Sequence, residues 1–379
     1  FKQKTAYEIM PSLVGSEMCI RDSSRRGLTM PVFTPEYLHK VAYHIYRAKG
    51  TPEDEAEIVA RHLIKANLCG HDSHGIIQTP TYVDRIDAGH IVPGASFDVV
   101  KEAPCTAVID GNWGFGFVQT EKATKLAIEK AKTNGVGAIT VYHQSHIGRL
   151  GDYPTMMAAE NMIGLITADS GAAPKHVAPF GGVARKLGTN PMSIGMPSNL
   201  DGPVLMDMAS STVALGKIAL ARNRKEDVPI GWIVDKDGNP TTNPNDYYSG
   251  GAILPVGVDQ GHKGYALSFM VEVFSGLLTG LGYGIDPEGR HNDGVFIAAF
   301  NLAHFRDVDE FKKDMDGFVE YIKDSPPAEG FNEVLYPGEI EWNKEQQRRK
   351  EGIFVEDQTW AELSELMKSL NVEDEVGTP

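Results

Sequence analysis

The chain has 379 residues, 41% hydrophobic and 23% charged, an ordinary globular composition with length for two or three domains and a core that needs no disulfide staple. Its net charge of −15 argues against nonspecific nucleic-acid binding, so an anionic substrate has to be caught by local cations. Cys19, Cys69 and Cys105 form no CxxC pair, which points to a reducing cytoplasm, and no apolar run reaches the ~18 residues of a membrane span.

Residues 1–23, "FKQKTAYEIMPSLVGSEMCIRDS", have neither an amphipathic period nor a signal-peptide core, and they resemble translated adapter read-through. Residues 1–29 are therefore expected to be a non-native, disordered leader ahead of Met30, the alternative being a native leader. Thr34-Pro35 then reads as an N-cap and first-turn proline. Leu38, Val41, Ala42 and Ile45 follow with helical spacing to Gly50. Thr51-Pro52 restarts the pattern, and Ile58, Val59, Leu63 and Ala66 carry it to Gly70. "HDSH", 71–74, thus lies in a loop past a helix end. A helix is expected from near Pro80 to Ala88, strand over 97–109, and a helix carrying Ala123, Leu126, Ala127 and Ile128. "GAITVYH", 137–143, reads as a buried strand, with "HQSH", 143–146, at its C-terminal end. A helix near 154–161 and a strand over 163–170 come next. Strand-like pieces at 188–199 and 204–211, a helix at 214–225, a loop at 235–246 and a buried helix at 264–282 complete the middle, and beyond 305 the chain turns charged and helical. Alternating strands and helices predict an α/β fold, in which ligands gather beyond the C-terminal ends of strands. His146 and Ser170 fall at such ends.

Several chemistries are open to these residues. Two His-x-x-His pairs offer four nitrogens to zinc, but neither has an HExxH frame or a cysteine or carboxylate partner at set spacing. Ser73 and Ser145 do not sit on a GxSxG elbow, so a serine triad is disfavoured. No GxGxxG or GxxxxGK[ST] word is present. "GHKG", 261–264, opens a helix and could offer backbone N–H groups and the Lys263 ammonium to a phosphate; the plainer reading is a helix start with an exposed lysine. Histidine titrates near neutrality and suits proton transfer in hydroxyl/carbonyl interconversion, if the two histidine loops face one cleft.

Five words occur in order: "GHDSHGIIQTPTYVDRIDAGHIVPGA", "QSHIGRLGDYPTMMAAENMIGLITADS", "VAPFGGVARKLGTNPMSIGMPS", "VLMDMASSTVALGK" and "GHKGYALSFMVEVFSGLLTG". Together they resemble the type-2 malate/L-lactate dehydrogenase family over residues 34–355. The resemblance implies an α/β fold that binds NAD or NADP without the Rossmann fingerprint, with a mostly helical domain built from both chain ends. It implies a homodimer that transfers a hydride between the nicotinamide and C2 of a small 2-hydroxy acid. Cyclic imino-acid reduction is the alternative within the family, and a histidine-based metal hydrolase the alternative outside it. The regions expected are 30–106, helical and substrate-binding; 107–260, α/β and cofactor-binding; and 261–379, helical and packed on the first.

Residue by residue, the resemblance casts His146 as acid/base, with His74 and Ser73 beside it in the catalytic pocket and His74 the alternative acid/base, the role it has been given in some members. It places Tyr82, Gln78, Thr189 and Asn190 at the substrate, and Ser170, Asp207, Met208, Ala209, His262 and Lys263 at the cofactor. No metal is expected. One departure stands out: the family usually has arginine where this chain has Gln78. Either another cation, such as Arg149, Lys175 or Arg185, replaces that charge, with the Lys175-His176 neighbourhood one such compensation, or the substrate differs from the family's usual hydroxy acid.

Overall fold

The Thr34 hydroxyl accepts the Tyr37 N–H at 3.2 Å, so the first helix, α1 (Pro35–Ala48), starts where the Thr-Pro pair places it. The computed structural model describes residues 31–170, 175–283, 290 and 292–378, with Ser170 described through its backbone alone. The leader expected over 1–29 lies outside the described residues. Helix α2 (Glu53–Leu68) packs on α1, and two tight 3-10 turns, Asp72–His74 and Ile76–Gln78, lead into α3 (Thr79–Asp87). Leu38, Val41, Ile45, Val59 and Leu63 are fully buried in one core, which the far end of the chain completes with Ile353, Leu363 and Met367. Each such side chain stabilises the fold by roughly 1.5–3 kcal/mol over leaving it in water.

The strand expected over 97–109 is two strands. β1 (Asp98–Glu102) turns back through Ala103–Cys105 into β2 (Thr106–Gly114), because Pro104 breaks the extended run. There follow α4 (Gly116–Asn134), β3 (Val136–Gln144), α5 (Asp152–Ala159) and β4 (Met162–Ser170). Then come β5 (Met192–Met196), β6 (Val204–Met208), α6 (Leu215–Arg224) and α7 (Gly261–Val271), which runs into a π-helical segment, Glu272–Leu277. β7 (Asp293–Asn301), α8 (Val308–Lys323), α9 (Glu339–Glu351) and α10 (Asp357–Ser369) end the chain.

The strands form one sheet in the order β1-β2-β3-β7-β4-β5-β6. Only β2 and β3 pair in parallel; β7 lies antiparallel between β3 and β4. So β2, β3 and β4 run the same way and end on one edge, where β7 begins at Asp293. Side chains alternate across the sheet. Val295 and Ile297 join the core that holds Ala123 and Ala127 of α4, while Phe296 stacks on Phe274 of the π-helical segment at 4.9 Å. Residues 261–301, grouped with the C-terminal helices in the expectation above, therefore supply the sheet with its central strand.

The buried helix expected over 264–282 is corrected on two counts. It keeps α-helical bonding only to Val271, and Leu267, Phe269, Met270, Phe274, Leu277 and Leu278 are exposed. A separate core of Val177, Leu187, Val213, Ile218, Ile233, Tyr247 and Ile253 packs around a small three-stranded sheet.

Candidate active site

His146 follows the end of β3, held by backbone on both sides. The Ser145 N–H donates to the Gly114 carbonyl at 3.1 Å, and the Ile147 N–H to the Asp293 carboxylate at 3.2 Å. The Gly116 N–H donates to the Ser145 hydroxyl at 3.0 Å, and a Cβ at Gly116 would lie 2.1 Å from the Ser145 carbonyl oxygen. Only glycine lets the start of α4 approach the histidine segment this closely.

Opposite stands the "HDSH" loop. The Asn67 carboxamide, at the end of α2, accepts the Ile76 N–H at 2.8 Å and donates to Asp72 at 2.7 Å. Its oxygen lies 2.2 Å from where a Gly75 Cβ would be, so the loop closes over it only with glycine there. The Ser73 hydroxyl and His74 Nδ1 are 3.0 Å apart, and the Gln78 amide donates to the Ser73 carbonyl at 2.7 Å. The His74 ring stacks on His146, centroids 5.5 Å apart at 28°. From α3, the Tyr82 hydroxyl meets His146 Nδ1 at 2.6 Å, with its ring edge-on to Phe117. The structure thus gathers Ser73, His74, Gln78, Tyr82 and His146 from three chain segments into one cluster.

Electrostatics sort the roles. Burial pushes His74 down to about 4, helped by the charge of His71 and opposed by Asp293, so its imidazole is neutral at pH 7. Burial also raises the Tyr82 phenol well above its ordinary range, and it stays protonated. The first histidines of the two words serve elsewhere: His71 faces Glu341 at 3.8 Å, and His143 pairs with Asp110 at 3.1 Å and stacks on Trp113. Among the described residues no three His, Cys, Asp or Glu side chains gather as a metal-holding set.

The remaining predicted residues lie along the other strand ends. Asn190, left-handed at φ 40°, donates to the Ser268 carbonyl at 3.0 Å and to Glu272 at 2.8 Å. The Thr189 carbonyl accepts both the N–H and the hydroxyl of Ser210. The Asp207 carboxylate is turned to the Gly151 N–H at 2.9 Å and to Arg149 at 3.4 Å, so it works as a structural partner there. Met208 and Ala209 are half-buried at the end of β6, and the Ser170 backbone pairs with Asp293. His262 and Lys263 are exposed on the first turn of α7, His262 edge-on to Phe180.

The three cations considered as substitutes for the missing arginine are all committed. Arg149 bonds Asp152 at 2.6 Å and Asp207. Arg185 donates to the carbonyls of Gly251 and Tyr247 and lies 4.0 Å over the Tyr247 ring. Lys175 is buried between Asp169 at 3.1 Å and Glu272 at 3.2 Å. Burial lifts Asp169 to about 7, against the pull of Lys175. His176 bonds Tyr247 at 2.7 Å, so Lys175-His176 does not act as the expected replacement. Asn67 and Asp72 were not read as site supports from the sequence. The segment beyond 305 read only as charged and helical.

The malate/L-lactate dehydrogenase family profile matches residues 33–364. Malate/(S)-sulfolactate dehydrogenase of Methanothermus fervidus is 38% identical over 348 residues, covering 90% of this chain and 99% of that protein. The solved structure of malate dehydrogenase from Entamoeba histolytica superposes with a TM-score of 0.86 at 33% identity, covering 91% of this chain and 99% of that one. Delta1-piperideine-2-carboxylate reductase from Pseudomonas syringae superposes with a TM-score of 0.77 at 25% identity, covering 89% and 99%.

Proposed function

The chain belongs to the malate/L-lactate dehydrogenase family and is an oxidoreductase of CH–OH groups, and on that premise we propose that it moves a hydride between NAD or NADP and C2 of a small 2-hydroxy acid. The observation that carries this reading is the 2.6 Å contact between Tyr82 and His146 Nδ1. With the Nδ1–H donating to the phenol oxygen, Nε2 holds the lone pair that takes the hydroxyl proton in oxidation and returns it in reduction. His74, neutral and stacked on His146, shapes the cleft without adding charge, and Ser73 holds its Nδ1.

The bound nicotinamide supplies the hydride acceptor or donor. Its phosphates fit the first turn of α7, where backbone N–H groups and the exposed Lys263 and His262 point outward. Ser170, Met208 and Ala209 line the strand ends toward it. Asp207 acts there through the backbone it anchors.

Gln78 shapes the substrate. Its amide is spent on the Ser73 carbonyl, and a carboxamide brings no charge. A substrate with one carboxylate, lactate-like, therefore suits the cleft better than a malate-like diacid. A second reading, reduction of a cyclic imino acid, draws on the likeness to the Pseudomonas syringae reductase; the same His146 nitrogen would protonate the imine. The exposed apolar row of α7 and the π-helical segment fits a homodimer face.

The test follows absorbance of the reduced nicotinamide with both cofactors against 2-oxo acids, 2-hydroxy acids and cyclic imines. Wild type should turn over monocarboxylic 2-hydroxy acids best, and Gln78→Arg should raise kcat/KM for diacids. Turnover of imines alone would move the assignment to the second reading. Silence on every substrate would end both.

A further inference from the structure

Helix α9 has a composition that a covering helix should not have. It reads "EIEWNKEQQRRKE", and the side chain it buries is Glu345. A helix that docks to close a core presents an apolar stripe; this one presents a charged stripe. Glu341, Lys344, Glu345 and Arg348 recur at spacings of three and four, which places them on one face. That face lies along the end of α2 and the "HDSH" loop.

Every residue of the stripe touches it. Glu341 faces His71 at 3.8 Å. The Lys344 stem packs over Gly70, 3.2 Å from where a Cβ would stand. Glu345 bonds Lys65 and receives the Cys69 thiol at 3.9 Å. Arg348 grips Asp72 with both guanidinium nitrogens, at 2.6 and 2.9 Å, and donates to the Asn67 carbonyl. Asn67 in turn holds Asp72 and the Ile76 N–H, which bracket Ser73 and His74. The two 3-10 turns of the loop have few backbone bonds of their own, chiefly His74 to His71, Gly75 to Asp72 and Gln78 to Gly75.

We propose that α9 is a polar clamp for the substrate loop, and that Arg348 is the positioning residue that holds Ser73 and His74 against His146. A bidentate guanidinium–carboxylate pair fixes direction as well as distance, which a lysine point charge does not. Asp72 is half exposed and Arg348 partly so, so the pair orders the loop more than it stabilises the fold. The effect on turnover rests on the hydroxy-acid reading above; the effect on the loop does not.

The experiment compares wild type, Arg348→Gln, Arg348→Lys, Asp72→Asn and the Arg348→Gln/Asp72→Asn pair. Hydrogen exchange is read over residues 69–80, alongside kcat/KM for the hydroxy acid and the Kd of reduced nicotinamide. Arg348→Gln should speed exchange of the His74, Gly75 and Gln78 amides by about tenfold or more, with α2 unchanged. It should lower kcat/KM by roughly ten- to a hundredfold while the cofactor Kd moves less than about twofold. Arg348→Lys should recover part of both, and the double variant should be no worse than the poorer single one. Exchange at the wild-type rate in Arg348→Gln overturns the clamp. So does acceleration spread evenly over α2 and α9, which would mean a merely structural helix. Should wild type turn over no hydroxy acid, the functional reading falls while the exchange rates still decide the clamp.

Discussion

At His146 the neighbours determine the chemistry. The Tyr82 phenol is buried, stays protonated and meets Nδ1 at 2.6 Å; in the proposed mechanism its oxygen accepts the Nδ1–H, which puts the lone pair on Nε2. The His74 ring centroid lies 5.5 Å away, yet His74 takes no part in titration near neutrality. Its folded value, about 4, is below its unfolded 6.5, so the unfolded chain binds the extra proton. That contribution to stability is complete above pH 6.5 and is lost as pH falls toward 4. Between pH 5.5 and 9 the rate profile should therefore contain no His74 step. His146→Ala should lower kcat by about 10²–10⁴-fold, with cofactor affinity nearly intact. A profile unchanged in shape and height in the variant would reassign proton transfer to another group.

At the scale of elements, much of the fold was legible because its signals are local. Thr34-Pro35 caps α1, and the apolar periods of α1, α2, β3 and β4 match their observed bounds within one or two residues. What misled were signals that depend on distant partners. The stretch 97–109, read as one strand, hid a hairpin whose turn Pro104 marks. The apolar residues of 264–282 read as a core helix, whereas six of them are exposed on α7 and the π-helical segment. The antiparallel entry of β7 between β3 and β4 left no trace in local pattern. The site was legible as words, "HDSH" and "QSH", but the contacts joining Asn67, Asp72 and Arg348 span up to 281 positions and follow from tertiary packing alone. The replacement cation sought at Lys175 was misplaced because its two carboxylate partners, Asp169 on β4 and Glu272 at the start of the π-helical segment, meet it only through tertiary packing.

For the molecule as a whole, a net charge of −15 leaves substrate capture to local groups at the strand ends. The row Leu267, Met270, Phe274, Leu277 and Leu278 is an exposed apolar surface of the kind that marks interaction sites. If it is the homodimer face, Met270→Asp with Leu278→Asp should shift sedimentation from dimer to monomer, and a wild type that sediments as monomer would remove that assignment. Direct passage of hydride from C2 of a 2-hydroxy acid to the nicotinamide, as proposed, is tested by supplying a 2-hydroxy acid deuterated at C2 with oxidised cofactor and examining the reduced product by NMR. Deuterium should appear at C4 of the nicotinamide, on one face only. Reduced cofactor that carries no label, or no reduction with any 2-hydroxy acid, would contradict it.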